Sequence, residues 1–165
     1  MRAFMGLCVG LVGLVLLAGG ARAGDKVPLD KVPKAVMDAI KARFPDADIT
    51  SVEKETEDGK VVYDIELKSK GRKYEMDIKE DGTVLEVENE IPVKNLPEAV
   101  TKALDAKYPK STIKEVMEVN KVNGSQETPD HYEVTLTTAD GKGKEVTVSL
   151  DGATVGEEAA EEKHG

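Results

Sequence analysis

The chain repeats itself. Val32-Pro33-Lys34-Ala35-Val36 returns as Leu96-Pro97-Glu98-Ala99-Val100, about 64 residues further on. The match runs on through Ala39/Ala103, Ile40/Leu104, Ala42/Ala106, Arg43/Lys107, Phe44/Tyr108, Pro45/Pro109 and Ile49/Ile113. Later, Val62-Tyr63-Asp64-Ile65-Glu66-Leu67 answers to His131-Tyr132-Glu133-Val134-Thr135-Leu136, and Asp81-Gly82 answers to Asp151-Gly152. A duplicated unit of this size is one supersecondary block, and whatever it folds into must be built twice. The units are predicted to span 24–91 and 92–158, with 159–165 a frayed acidic tail. The second copy carries an insertion, Asn120 to Asp130, whose Asn-Gly-Ser and Thr-Pro-Asp strings read as a long spacer loop.

Each copy opens with a helix. Pro33 and Pro97 stand at its first position, where a missing N–H costs nothing, and Pro45 or Pro109 stops it just past the last aromatic. Val32, Val36, Ile40 and Phe44 fall four apart, as do Leu96, Val100, Leu104 and Tyr108, so each helix has one apolar stripe. A single stripe needs something flat to cover. The strands supply it: Tyr63, Ile65 and Leu67 alternate with Asp64 and Glu66, Tyr74, Met76 and Ile78 with Glu75 and Asp77, and Leu85 and Val87 with Glu86 and Glu88. Period-two alternation with one oily face means half-buried antiparallel strands.

The turns set the register. A two-residue loop at Lys70-Gly71 pairs Leu67 with Tyr74, Ile65 with Met76 and Tyr63 with Ile78. A turn at Asp81-Gly82 pairs Ile78 with Leu85 and Met76 with Val87, and a loop at Ala139-Asp140-Gly141 pairs Val134 with Val146 and Tyr132 with Val148. With a first strand near Ile49 to Thr56 or Ile113 to Val119, the fold class is α+β. It comprises two tandem repeats, each a helix packed on a four-stranded antiparallel sheet, with one shared curved sheet as the alternative. Tyr63, Tyr74, Tyr108 and Tyr132 are expected in the core with their hydroxyls at its rim.

The first 23 residues read as an address. Met1-Arg2 is followed by an uncharged run from Ala3 to Ala18, then by Ala21-Arg22-Ala23, which has the form of a cleavage site for an exported chain. Cys8, the only cysteine, falls inside this segment, so the exported chain has no disulfide, thiolate nucleophile or cysteine metal site. Without Arg2 and Arg22, 21 Lys and Arg face 32 Asp and Glu, a formal charge of −11. That acidity, without a basic cluster, excludes nucleic acid and disfavours anionic membrane surfaces. The expected location is periplasmic or secreted, with no membrane attachment after cleavage.

The same register puts Asp64 beside Asp77 and Asp77 beside Glu86, then Glu66 beside Glu75 and Glu75 beside Glu88, on the face away from the helix. Directly opposed like charges, about 5 Å apart, destabilise strand pairs. Either this face is fully solvated and screened, with Lys68 and Lys73 bordering it, or it awaits cations: Lys and Arg of a partner, or weakly held divalent ions such as calcium. These six acids are the candidate partner-binding residues, and no metal site is assigned. Glu133 facing Thr147 and Thr135 facing Glu145 relieve the second copy.

Catalytic motifs are missing. His131 beside Tyr132 reads as a solvent-facing or edge residue without a companion at metal-ligand spacing, and no serine sits in a G-x-S-x-G elbow. Asp77 to Glu88 resembles a calcium loop only until Lys79, which takes the place of an oxygen ligand. Gly141-Lys142-Gly143-Lys144 lies between strands, with no helix start to receive a phosphate. Nothing calls for a cofactor.

A helix ending in an aromatic and proline (Phe44-Pro45, Tyr108-Pro109), a strand of the form Tyr63-Asp64-Ile65 or Tyr132-Glu133-Val134, and a strand closing on Asp-Gly together resemble the PepSY-like family, more narrowly its tandem-repeat, β-lactamase-inhibitor-like group. The likeness covers about residues 30 to 158. It implies a non-enzymatic extracytoplasmic module that binds a protein partner, a secreted or periplasmic hydrolase or peptidase, through a sheet surface. It carries over no catalytic motif and no contact residue. The alternative from the residues is a cation-responsive or structural envelope protein without a specific protein target.

Overall fold

The computed structural model describes residues 24–57 and 59–157, so the apolar segment 1–23 and the tail 159–165 lie outside the described residues. In chain order the elements are β1 (Asp25–Lys26), α1 (Lys34–Arg43), β2 (Asp48–Glu57), β3 (Lys60–Ser69), β4 (Arg72–Lys79), β5 (Val84–Glu90), α2 (Glu98–Lys107), β6 (Thr112–Asn123), β7 (Gln126–Thr137) and β8 (Gly143–Ser149). Short 3-10 turns at Leu29–Lys31 and Val93–Asn95 lead into the helices.

All eight strands form one antiparallel sheet in the order β1 to β8. This corrects the expectation of two separate four-stranded sheets and settles on the shared sheet: β5 of the first unit pairs with β6 of the second, Glu88 opposite Val119 and Glu90 opposite Met117. The second unit has three full strands, and its fourth is reduced, among the described residues, to a bridge from Val155 to Val148.

The repeat also explains β1. Asp25 and Lys26 pair with Lys54 and Glu53, and Val27 N–H donates to the Val52 carbonyl. Sixty-four residues on, Asn89 and Glu90 pair with Glu118 and Met117, and Ile91 N–H donates to the Val116 carbonyl. β1 is therefore the counterpart of the end of β5.

Both helices lie on one side of the sheet, as their stripes require. Val36 and Ile40 pack with Ile65, Leu67, Met76 and Ile78 in one cluster, and Val100 and Leu104 with Val116, Val134, Leu136 and Val146 in a second. Pro33 and Pro97 sit one position earlier than expected, as N-caps whose carbonyls accept the first intrahelical bonds from Met37 and Thr101. Tyr63, Tyr108 and Tyr132 are buried and Tyr74 is half-buried against Phe44, ring centroids 4.6 Å apart. The turn at Gly82 packs directly on α1: an added Cβ would stand 2.8 Å from the Ala35 carbonyl oxygen, so only glycine allows this approach. Gly152 meets Ala99 in the same way.

The Lys70-Gly71 and 138–142 loops give the expected pairings. The Asp81-Gly82 turn does not quite. Met76 pairs with Val87 and Asp77 with Glu86, but Ile78 pairs with Val84, because a bulge absorbs Leu85.

The largest correction concerns Asn120 to Asp130. It is not a spacer loop: the β6–β7 ladder continues to Asn123 opposite Gln126, closing on the two-residue turn Gly124-Ser125. This arm crosses to the first unit, where Val122 packs against its core and Glu127 Oε2 lies 3.0 Å from Arg43 Nη2.

Candidate functional site

Alternation places the six carboxylates opposite the helices, because their strand neighbours Tyr63, Ile65, Leu67, Met76, Ile78 and Val87 are the core. The cross-strand rows form as read. Asp64 pairs with Asp77 and Asp77 with Glu86, and Glu66 pairs with Glu75 and Glu75 with Glu88.

What the rows do not form is a fully solvated face. All six acids are half-buried, and Val62, Met117 and Val119, which share their side of the sheet, are buried, Val119 completely. Crowding of long side chains is the cause: Lys73 Nζ on β4 leans across β5 to reach Glu115 Oε1 on β6 at 3.2 Å, two strand spacings away. The acidic side is a trough in this sense, carboxylates and lysine standing around a buried floor of Met117 and Val119.

Crowding removes water from the carboxylates. Burial, with Asp77, Glu75, Glu66 and Glu55 adding repulsion, pushes the Asp64 carboxyl up to about 8. Burial likewise drives Glu88 far above the ordinary carboxylate range, helped by Glu133, Glu75, Asp77 and Asp64, and its Oε2 is shielded from solvent with no hydrogen-bond donor. Glu75 is raised by burial despite its 2.7 Å contact with Lys73, and Glu86 is raised by burial despite Lys121 and His131.

Sequence reading missed the residues that border these acids on the second unit. His131 is neither solvent-facing nor idle. Its ring is held between Asp130 (Nδ1 to Oδ2, 2.9 Å) and Glu133 (Nε2 to Oε1, 3.2 Å), while Lys121 pairs with Asp130 at 3.1 Å. Burial opposes the imidazolium, but the hydrogen bonds to the two carboxylates outweigh it and raise the His131 pKa. The alternation of His131 and Glu133 with Tyr132 put them on the right side; the bulge at Asp130 that completes the clamp left no sequence signal.

The carboxylates are laid out in rows rather than gathered around a point. Among the described residues no three Asp, Glu, His or Cys side chains converge to hold a metal ion. An open groove of about 590 Å³, lined partly by Ala39, Arg43, Val84 and Val122, lies on the helix side, remote from the acids.

Among the described residues, the architecture is a helix-backed antiparallel sheet whose other face neither helix covers. The chain belongs to the PepSY-like family, described as candidate beta-lactamase-inhibitor-like: the family's sequence pattern matches residues 21–86 and 62–154. Among solved structures, a BLIP-like protein from Bacteroides fragilis shares 23% identity over 84% of this chain and 94% of its own, with a TM-score of 0.53. A DUF2874 family protein from Bacteroides uniformis shares 17%, covering 76% of this chain and 88% of its own, with a TM-score of 0.56. A candidate periplasmic protein from Bacteroides eggerthii shares 14% over the same proportions, with a TM-score of 0.55. Likeness at these identities establishes the fold. No curated protein matches the sequence.

Proposed function

We propose that this protein is a non-catalytic, periplasmic or secreted protein-binding module that docks a cationic segment of its partner in the trough formed by Asp64, Glu66, Glu75, Asp77, Glu86 and Glu88. The partner class that the inhibitor-like family description supports is an extracytoplasmic hydrolase or peptidase. The candidate periplasmic neighbour supports the location, and no helix among the described residues is long and apolar enough to cross a membrane. One observation carries the docking face: the acids lie on the side that neither helix covers, with an apolar floor between them. Charge there steers and orients a basic partner.

Capture from an envelope fraction tests this reading. The wild type retains a stoichiometric hydrolase that elutes with salt, and a variant carrying Glu66→Lys with Glu75→Lys, its fold checked by circular dichroism, does not. Equal capture by both clears the acidic rows of a role. If nothing is captured and calcium raises the melting temperature beyond sodium chloride at matched ionic strength, the cation-responsive envelope reading takes its place.

A further inference from the structure

The trough contains more carboxylates than cations, and its geometry shows what balances them. Glu88, on β5, is opposed by Glu75 on β4 and Val119 on β6. Asp77 and Lys73 flank Glu75 on β4, with Lys79 further along opposite Val62. Asp64 and Glu66 come from β3, and Glu53 and Glu55 on β2 lie beside Asp64 and Val62. On the other side stand Glu86 on β5, Glu115 and Lys121 on β6, and Asp130, His131 and Glu133 on β7.

The three cations around Glu88 have partners already. Lys73 is held by Glu75 and Glu115, Lys121 by Asp130, and His131 by Asp130 and Glu133. None of them donates to Glu88 Oε2. An anionic oxygen shut off from water without a donor is strongly penalised, whereas a neutral carboxyl in the same place is not.

We propose that protons are the resident counter-ions of this trough and that a cationic segment of the partner displaces them on docking, so that docking tightens as the pH rises. The displacement step rests on the reading of the trough as the docking face. As a guanidinium or ammonium enters, the carboxyl O–H bond breaks, the proton passes to solvent, and the carboxylate left behind pairs with the incoming charge. Burial of Asp64 and Glu88 moves this exchange far above pH 4, for Asp64 to about pH 8.

Two measurements separate the parts. Side-chain carbon NMR of the exported protein follows the Asp64 and Glu88 carboxyls with no partner present: midpoints above pH 6 are expected, and midpoints near the ordinary value of about 4 overturn the proposal. Calorimetric titration with an arginine-rich peptide as probe, in two buffers of different ionisation enthalpy at pH 6 and pH 8, counts protons released. Affinity is expected to rise by up to about tenfold per pH unit for each proton released. The Glu88→Gln variant is expected to flatten that dependence; if it fails to fold, the wild-type titrations decide. Binding that is equal at both pH values and releases no proton overturns the proposal and leaves the docking face standing. No binding at either pH, with both carboxyls still titrating high, overturns the docking face and the displacement step with it.

Discussion

Asp64 and Glu133 hold the same place in the two units and live differently. Asp64 is opposed by Asp77, whereas Glu133 is opposed by Thr147 and accepts a hydrogen bond from, or pairs with, the His131 ring. Alternation alone made the acid rows legible, because period two assigns every strand residue to a face. What it could not reveal was how wet that face is, since burial there depends on how side chains from several strands crowd together. The consequence is a stability that runs against the usual trend. Native Asp64 keeps its proton to about pH 8, whereas an unfolded aspartate releases it near pH 4, so unfolding sheds a proton between these values and stability falls as the pH rises through that window. Glu88, Glu75 and Glu86 act in the same direction, as does His131, whose raised pKa gives a contribution complete at low pH and lost on titration upward. Asp130, held low by His131 and Lys121 despite its burial, opposes them only at the acid end. Urea unfolding at pH 5.0 and pH 8.5 is expected to show greater stability at the lower pH, by about 2–4 kcal/mol. Each tenfold difference in proton affinity between the folded and unfolded chain is worth about 1.4 kcal/mol, and relaxation of the trough takes back part of the sum. Equal or greater stability at pH 8.5 contradicts the burial argument.

At the scale of elements, helices, strands and most turns were readable because each signal is local: a stripe, an alternation, a glycine. The β6–β7 arm was not. Thr128-Pro129-Asp130 looks like a loop, since proline breaks a central ladder. Pro129 is tolerated here because it lies next to the bulge and beyond the end of β8, whose last pairing is Ser149 with His131, so its outer edge has no ladder to interrupt. The arm acts as a clasp on the first unit, and its two attachments differ in weight. The Arg43–Glu127 pair is partly exposed, and pairs of that kind contribute less than about 1 kcal/mol. Val122 packs on the core, where apolar burial contributes about 1–2 kcal/mol. Val122→Asp is therefore expected to destabilise the protein by about 1–2 kcal/mol and to speed amide exchange at the C-terminal end of α1, and Glu127→Ala to do less of both. The reverse order would mean that the ion pair, not the apolar contact, holds the arm.

For the whole molecule, the duplication suggested two bodies, and the structure joins them. The reason is an edge: a unit ending on β5 leaves a row of backbone donors and acceptors open, and β6, the first strand of the next unit, closes it. The junction is sealed on the helix side by Asn120, which is buried and donates to the Val87 and Glu118 carbonyls and to Asn89 Oδ1. Each unit still has its own apolar cluster, so repeat and fold agree about the cores and part only over the sheet. If the β5·β6 ladder and the arm bind the two units into one cooperative body, damage in one core must be felt in the other. Leu104→Ala empties a completely buried site in the second cluster and is expected to cost about 2–4 kcal/mol. Hydrogen exchange then discriminates: with one cooperative sheet, the slowest amides of β3 and β4, far from the substitution, lose as much protection as those of β7 and β8. Loss confined to β7, β8 and α2 would show that the shared sheet joins two independent folding units without coupling them.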